Sequence, residues 1–155
     1  MRLKILAVAL AGLSLASVAA IAVAQDAVVD PAIATMTPDQ KVATRQAAMK
    51  EDGGILKGAA KLTGADAEAA ADTLIKNFTN FPAYFTADTK DVAGSEALPA
   101  IWDNVDAFDA IFAKALEGAK AMKVAATAGD AAAYGVAMKT IGGTCGECHQ
   151  TYRGQ

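Results

Sequence analysis

The sequence predicts an all-α chain folded as an antiparallel, up-down-up-down four-helix bundle. Three observations predict it. Four stretches carry apolar residues at spacings of three and four, the mark of amphipathic helices. No stretch alternates with period two over a useful length, so no sheet is expected. The connections are short except the one between the second and third helices, which favours antiparallel neighbours.

The first helix opens with unambiguous chemistry. Thr37 is placed to cap it, Pro38 to fill the first helical position, Asp39 to favour the positive end, and Gln40 to complete a capping box. Val42, Arg45, Met49, Leu56 and Ala60 then form one stripe. The helix is expected to run to about residue 61, through Gly53-Gly54, although each glycine costs about 1 kcal/mol relative to alanine. Thr63-Gly64 ends it. Asp66 is expected to cap a second helix carrying Ala67, Ala71, Leu74, Phe78 and Phe81, which Pro82 closes. Residues 83–94 show neither period and read as the long loop. A third helix opens at Ser95 and Glu96 and is entered around Pro99; its stripe is Ile101, Val105, Phe108, Phe112, Leu116, Ala119, Met122 and Ala126. Gly129 suits a helix end and Asp130 the cap of the fourth. On that last helix Tyr134, Ala137, Met138, Ile141, Cys145, Cys148 and Tyr152 share one stripe.

Chemistry concentrates in residues 142–153, Gly-Gly-Thr-Cys-Gly-Glu-Cys-His-Gln-Thr-Tyr-Arg, which hold both cysteines and the single histidine of the chain. Cys145, Cys148 and His149 spell Cys-x-x-Cys-His, the attachment pattern of a c-type haem. Two thiols one helical turn apart can add to the two vinyl groups of one porphyrin, and the neighbouring imidazole can bind its iron. Competing readings lack parts. A structural zinc site needs four Cys or His ligands, and three exist. A thioredoxin-like pair belongs at a helix start within a βαβ pattern, whereas no strand pattern precedes this one. A disulfide across three residues of a helix has poor geometry.

The chain begins with two basic residues, Arg2 and Lys4, followed by an almost wholly apolar run from Ile5 to Val23 and a small-x-small site at Ala22-Val23-Ala24. This is the layout of a secretory signal peptide over residues 1–24. The alternative is a retained membrane anchor, since the run approaches the roughly 20 residues a spanning helix needs. Its alanine-rich composition and the lack of a basic stop favour cleavage, which predicts no stable membrane association afterwards. Export agrees with the haem motif, because haem is attached outside the cytoplasm, on the periplasmic side in bacteria. Cleavage would leave 131 residues, 12 basic against 17 acidic, and a net charge of about −5. Residues 25–36 read as a lead-in and 37–155 as one domain large enough for a real core. The acidic balance argues against nucleic acid as a partner.

These features together resemble the class II cytochromes c, the cytochrome c′ group. They are a capped first helix with Arg-x-x-x-Met, Ile-Trp near the start of the third helix, a Gly-Asp turn, and Gly-Gly-x-Cys-x-x-Cys-His-x-x-Tyr-Arg near the C-terminus. The resemblance spans 37–153. It implies one haem c held by thioethers to Cys145 and Cys148, with His149 as the proximal iron ligand. It also implies haem contacts from Arg45, beside a propionate, from Trp102 near the pocket, and from Arg153 after the motif. Arg45 fits this for a further reason: it lies on an apolar stripe, where a charge is expensive without a partner. A homodimer through the first two helices is implied as well.

In this group the residue four after the first-helix Arg points into the haem pocket. In many members it is bulky and apolar and leaves the iron five-coordinate; in a low-spin branch a nearby Met binds the iron. Here the position is Met49. Met122 falls at the far end of the bundle, Met138 shares a helix with His149, and Met36 precedes the first helix. The expectation is therefore a periplasmic carrier of single electrons with His149 and Met49 as iron ligands, serving redox partner proteins. The alternative is a five-coordinate haem that binds or scavenges nitric oxide or carbon monoxide. A haem-free thiol–disulfide oxidoreductase is the third class. No paired carboxylates, activated nucleophile or phosphate loop is visible, so no catalytic residues are expected and the chain is not read as an enzyme.

Overall fold

A computed structural model describes residues 27–154. Its helices are α1 (Pro38–Ala59), α2 (Gly64–Asn80), a one-turn α3 (Ala100–Asp103), α4 (Val105–Ala128) and α5 (Ala131–Tyr152). The four long helices form the expected antiparallel bundle. Among the described residues the only β-type pairing is an isolated antiparallel bridge, Ala97 with Arg153. No described helix is long and apolar enough to cross a membrane. The expected signal segment, residues 1–24, lies outside the described residues.

Local chemistry sets most boundaries. Thr37 and Gln40 form both halves of the capping box, and Pro38 occupies the first helical position. α1 continues unbroken through Gly53-Gly54. Gly129, at φ +67°, ends α4, and the Asp130 side chain caps α5 by accepting from the Ala133 N–H. Two expectations are corrected. Thr63, not Asp66, precedes α2, which starts at Gly64, so Asp66 lies in the first turn, where its charge meets the positive end of the helix. The third helix is divided: α3 stops at Asn104, whose side chain then caps α4 through the Ala107 N–H. Val105, placed on the apolar stripe, is consequently exposed at this corner. The lead-in is also more ordered than its composition implied. Pro31–Thr35 form a 3₁₀ turn capped by Asp30, and it buries Ile33.

The core runs along α2, α4 and α5. α4 is the central packing element, and it approaches α5 so closely that a Cβ on Gly118 would stand 3.0 Å from Ile141 Cγ1. At the α1–α5 end, an aromatic cluster fills the space where alanines cannot. Phe108 meets Phe112 edge-to-face at 5.0 Å and Tyr152 at 5.1 Å, and Phe81 stacks on Phe112 at 5.2 Å. α1 packs on α2 but touches α5 sparingly, so the bundle opens along that seam. Replacing the fully buried Phe81 by Ala should cost about 3–5 kcal/mol in denaturant unfolding.

Candidate haem site

The open α1–α5 seam holds a cavity of about 400 Å³. α1 supplies Arg45 and Met49, α5 supplies Cys148, His149 and Tyr152, and Phe85, Ile101 and Phe108 complete an apolar wall. Arg153, at the end of α5, borders it too. Residues 100 positions apart in sequence, Met49 and His149, therefore share one chamber. Met49 is half-buried, on the helix facing that of His149. Cys145 lies one turn before Cys148 on the same stripe, half-buried against the core.

Arg45 is an anchor within this wall. It is 4 % exposed, and Nη1 donates to the Tyr84 carbonyl at 3.1 Å and to Thr89 Oγ1 at 3.2 Å, while Nη2 donates to Ser95 Oγ at 2.8 Å. Its Cζ stands 4.1 Å from the centre of the Phe85 ring. The partner that its buried position demands is thus supplied by the long connection, which Arg45 ties to α1. Burial lowers its pKa to about 10, so it stays charged at neutral pH. None of these bonds uses the Nε–H. Trp102 is outside the cavity wall; its indole donates to the Phe85 carbonyl at 2.9 Å and so bears on the chamber through Phe85.

The end of α5 is clasped. The Leu98 N–H donates to the Tyr152 carbonyl at 2.9 Å and the Gly154 N–H to the Glu96 carbonyl at 2.7 Å. Arg153 Nε lies 3.9 Å from Glu96 Oε2, an exposed pair of small energetic value. The backbone clasp, rather than this ion pair, holds the helix end that carries His149.

Electrostatics favour neutral donors. Burial, reinforced by the Arg153 charge and opposed by Glu96, lowers the His149 pKa, which keeps its imidazole available as a ligand. Burial, then the charges of Cys145 and Glu147, pushes the Cys148 thiol up to about 11. Burial and Asp52 also raise Cys145. A redox-active dithiol is instead activated by a depressed pKa. This donor set fits a haem: two neutral thiols a turn apart, a neutral imidazole beside them, and a largely apolar chamber large enough to take part of a macrocycle.

Asp52 is the residue that the sequence reading passed over. It is 4 % exposed, accepts from Asn77 Nδ2 at 2.7 Å through Oδ1, and leaves Oδ2 without a partner. Its signal was present: Asp52 follows Arg45 by seven and Met49 by three, on the buried stripe. The inner line of α1 continues to Ala59 rather than to Ala60, which is exposed.

A four-helix bundle with a Cys-x-x-Cys-His motif at the end of its last helix, facing an apolar chamber, defines a class II c-type cytochrome. The sequence profile of the family Cytochrome C′ matches residues 40–153, and the chain belongs to that family. It is 36 % identical over 124 residues to the cytochrome c′ of Pararhodospirillum photometricum, covering 76 % of this chain and 98 % of that one. It is 40 % identical over 120 residues to cytochrome c-556 of Agrobacterium tumefaciens (strain B2A), covering 73 % and 96 %. A solved cytochrome c′, described as having an unusual ligand-controlled dimer dissociation, superposes with a TM-score of 0.70 at 26 % identity over 77 % of this chain and 98 % of that one. As a member of this family the chain binds a covalently attached haem c.

Replacing Arg45 by Ala should destabilise the protein by on the order of 3 kcal/mol, since three hydrogen bonds to a buried cation are lost. Limited proteolysis should then cut first within 84–95.

Proposed function

We propose that this chain is an exported, periplasmic haem protein whose iron is bound by His149 and keeps its sixth position open to nitric oxide or carbon monoxide. Cys145 and Cys148 hold the porphyrin by thioethers in this reading. Family membership carries it, because an iron left five-coordinate behind a bulky side chain is what the cytochrome c′ resemblance implies for many members. The chamber supports it physically. Phe85, Ile101 and Phe108 present hydrocarbon to the site, which favours a small uncharged gas over water or an anion. When bound, the haem supplies an iron that exchanges one electron and accepts axial ligands. The chain's own part is to hold the thiols and imidazole in register on α5 and to exclude water with α1 and the aromatic wall.

One observation favours a second reading: Met49 borders the same chamber as His149 from the opposite helix. A thioether at the sixth position would raise the reduction potential and suit one-electron transfer between partner proteins. The description of the 26 % identical relative as a dimer supports a homodimer here; the cytochrome c′ resemblance implies that it forms through α1 and α2.

Optical absorption of the oxidised and reduced protein, with and without carbon monoxide, separates the two readings. Under the first, the wild type is high-spin and responds to the gas, and Met49→Ala changes little. A low-spin wild type indifferent to carbon monoxide, turning gas-responsive in Met49→Ala, would establish the second. In either case haem colour should persist through denaturation and weaken in Cys145→Ser or Cys148→Ser, where one thioether is lost.

A further inference from the structure

Asp52 is buried in a place where a carboxylate is poorly served. From its own helix the nearest charge is Glu51, of the same sign. From α2 its hydrogen-bond donor is the neutral Asn77, whose Nδ2 also donates to Glu51 Oε2 at 3.1 Å. On α5 its charge reaches Cys145 and raises that thiol's proton affinity. Asp52 makes no ion pair among the described residues, and Oδ2 lacks any donor. A proton on Oδ2 would remove the uncompensated charge.

We propose that Asp52 takes up a proton when the haem iron is reduced and releases it when the iron is oxidised, so that it couples the redox state of the protein to pH. The proposal rests on the reading that Cys145 carries the haem; Asp52 stands one helical turn after Met49, which lines the haem chamber, and its charge reaches the Cys145 thiol. Ferric iron holds one more positive charge than ferrous iron and favours the carboxylate; reduction removes that charge and favours the acid. Through a weakly polarisable interior such an interaction reaches well beyond contact distance. The step balances: an external one-electron donor converts ferric to ferrous iron, and one proton from solvent converts the Asp52 carboxylate to carboxylic acid. Exposed Glu51, sharing the Asn77 amide, links this buried site to the surface. Burial pushes the Asp52 pKa to about 7, opposed by the Asn77 hydrogen bond and assisted by Glu51, so the exchange falls in the neutral range.

The test is a mediated potentiometric titration of the haem-loaded protein between pH 5 and 9, on wild type, Asp52→Asn and Glu51→Gln. In the wild type the reduction equilibrium constant should fall with rising pH through neutrality, by at most about tenfold per pH unit, or 59 mV for one electron. Asp52→Asn should flatten this segment, and Glu51→Gln should retain it. A flat wild type, or an unchanged slope in Asp52→Asn, would overturn the proposal. If Asp52→Asn does not fold, the wild type alone decides through reduced-minus-oxidised infrared difference spectra, in which a protonated-carboxyl band must appear on reduction. Loss of haem colour on denaturation would instead overturn the attachment reading, and the proposal with it.

Discussion

The site depends on α5 being held hard on one side and loosely on the other. Gly118 lets α4 come within side-chain contact of Ile141, and the Phe81–Phe108–Phe112–Tyr152 cluster extends that grip toward the cavity end. Close packing there fixes the rotation of α5 about its own axis. With that rotation fixed, Cys148 and His149 line the gap facing α1, Cys148 from the edge of the core. A bundle packed equally well on all sides would have no chamber.

The opposite wall is set by charge rather than by packing. Arg45 brings a cation into the interior of α1 and satisfies it with Tyr84, Thr89 and Ser95, all from the long connection. Lys41, also buried, adds a hydrogen bond to Thr86 Oγ1 at 2.9 Å. The connection is thereby drawn onto α1, and Phe85 is carried to the chamber. These bonds are oriented, which an apolar contact would not be, so they specify where the loop sits as well as that it is bound.

Much of this was legible in the sequence. Thr37, Pro38, Gln40, Gly129 and Asp130 announce helix ends by local chemistry, and local chemistry does not depend on the rest of the fold. The Cys-x-x-Cys-His motif was legible for the same reason. The less legible features depend on tertiary partners. Nothing adjacent to Trp102 says that its indole will reach the Phe85 carbonyl, and the stripe running past Asn104 hides a break that the Asn104 cap creates. Asp52 illustrates the opposite case. An acidic residue on an apolar line is a conflict between levels, and such conflicts tend to mark functional places. The stripe Val42, Arg45, Met49, Leu56 and Ala60 steps over Asp52, which follows Met49 by one helical turn on the buried line of α1.

The chamber's two walls are the first and the last long helices among the described residues. Met49 and His149 border one chamber although a hundred positions separate them in sequence. α2, α4 and the α4–α5 hairpin can assemble through much nearer neighbours, since short loops close at lower entropic cost. The α1–α5 seam is therefore both the least local and the most loosely packed of the pairings between neighbouring long helices. Local opening of α1 would expose the haem side of α5 while leaving the rest of the core intact.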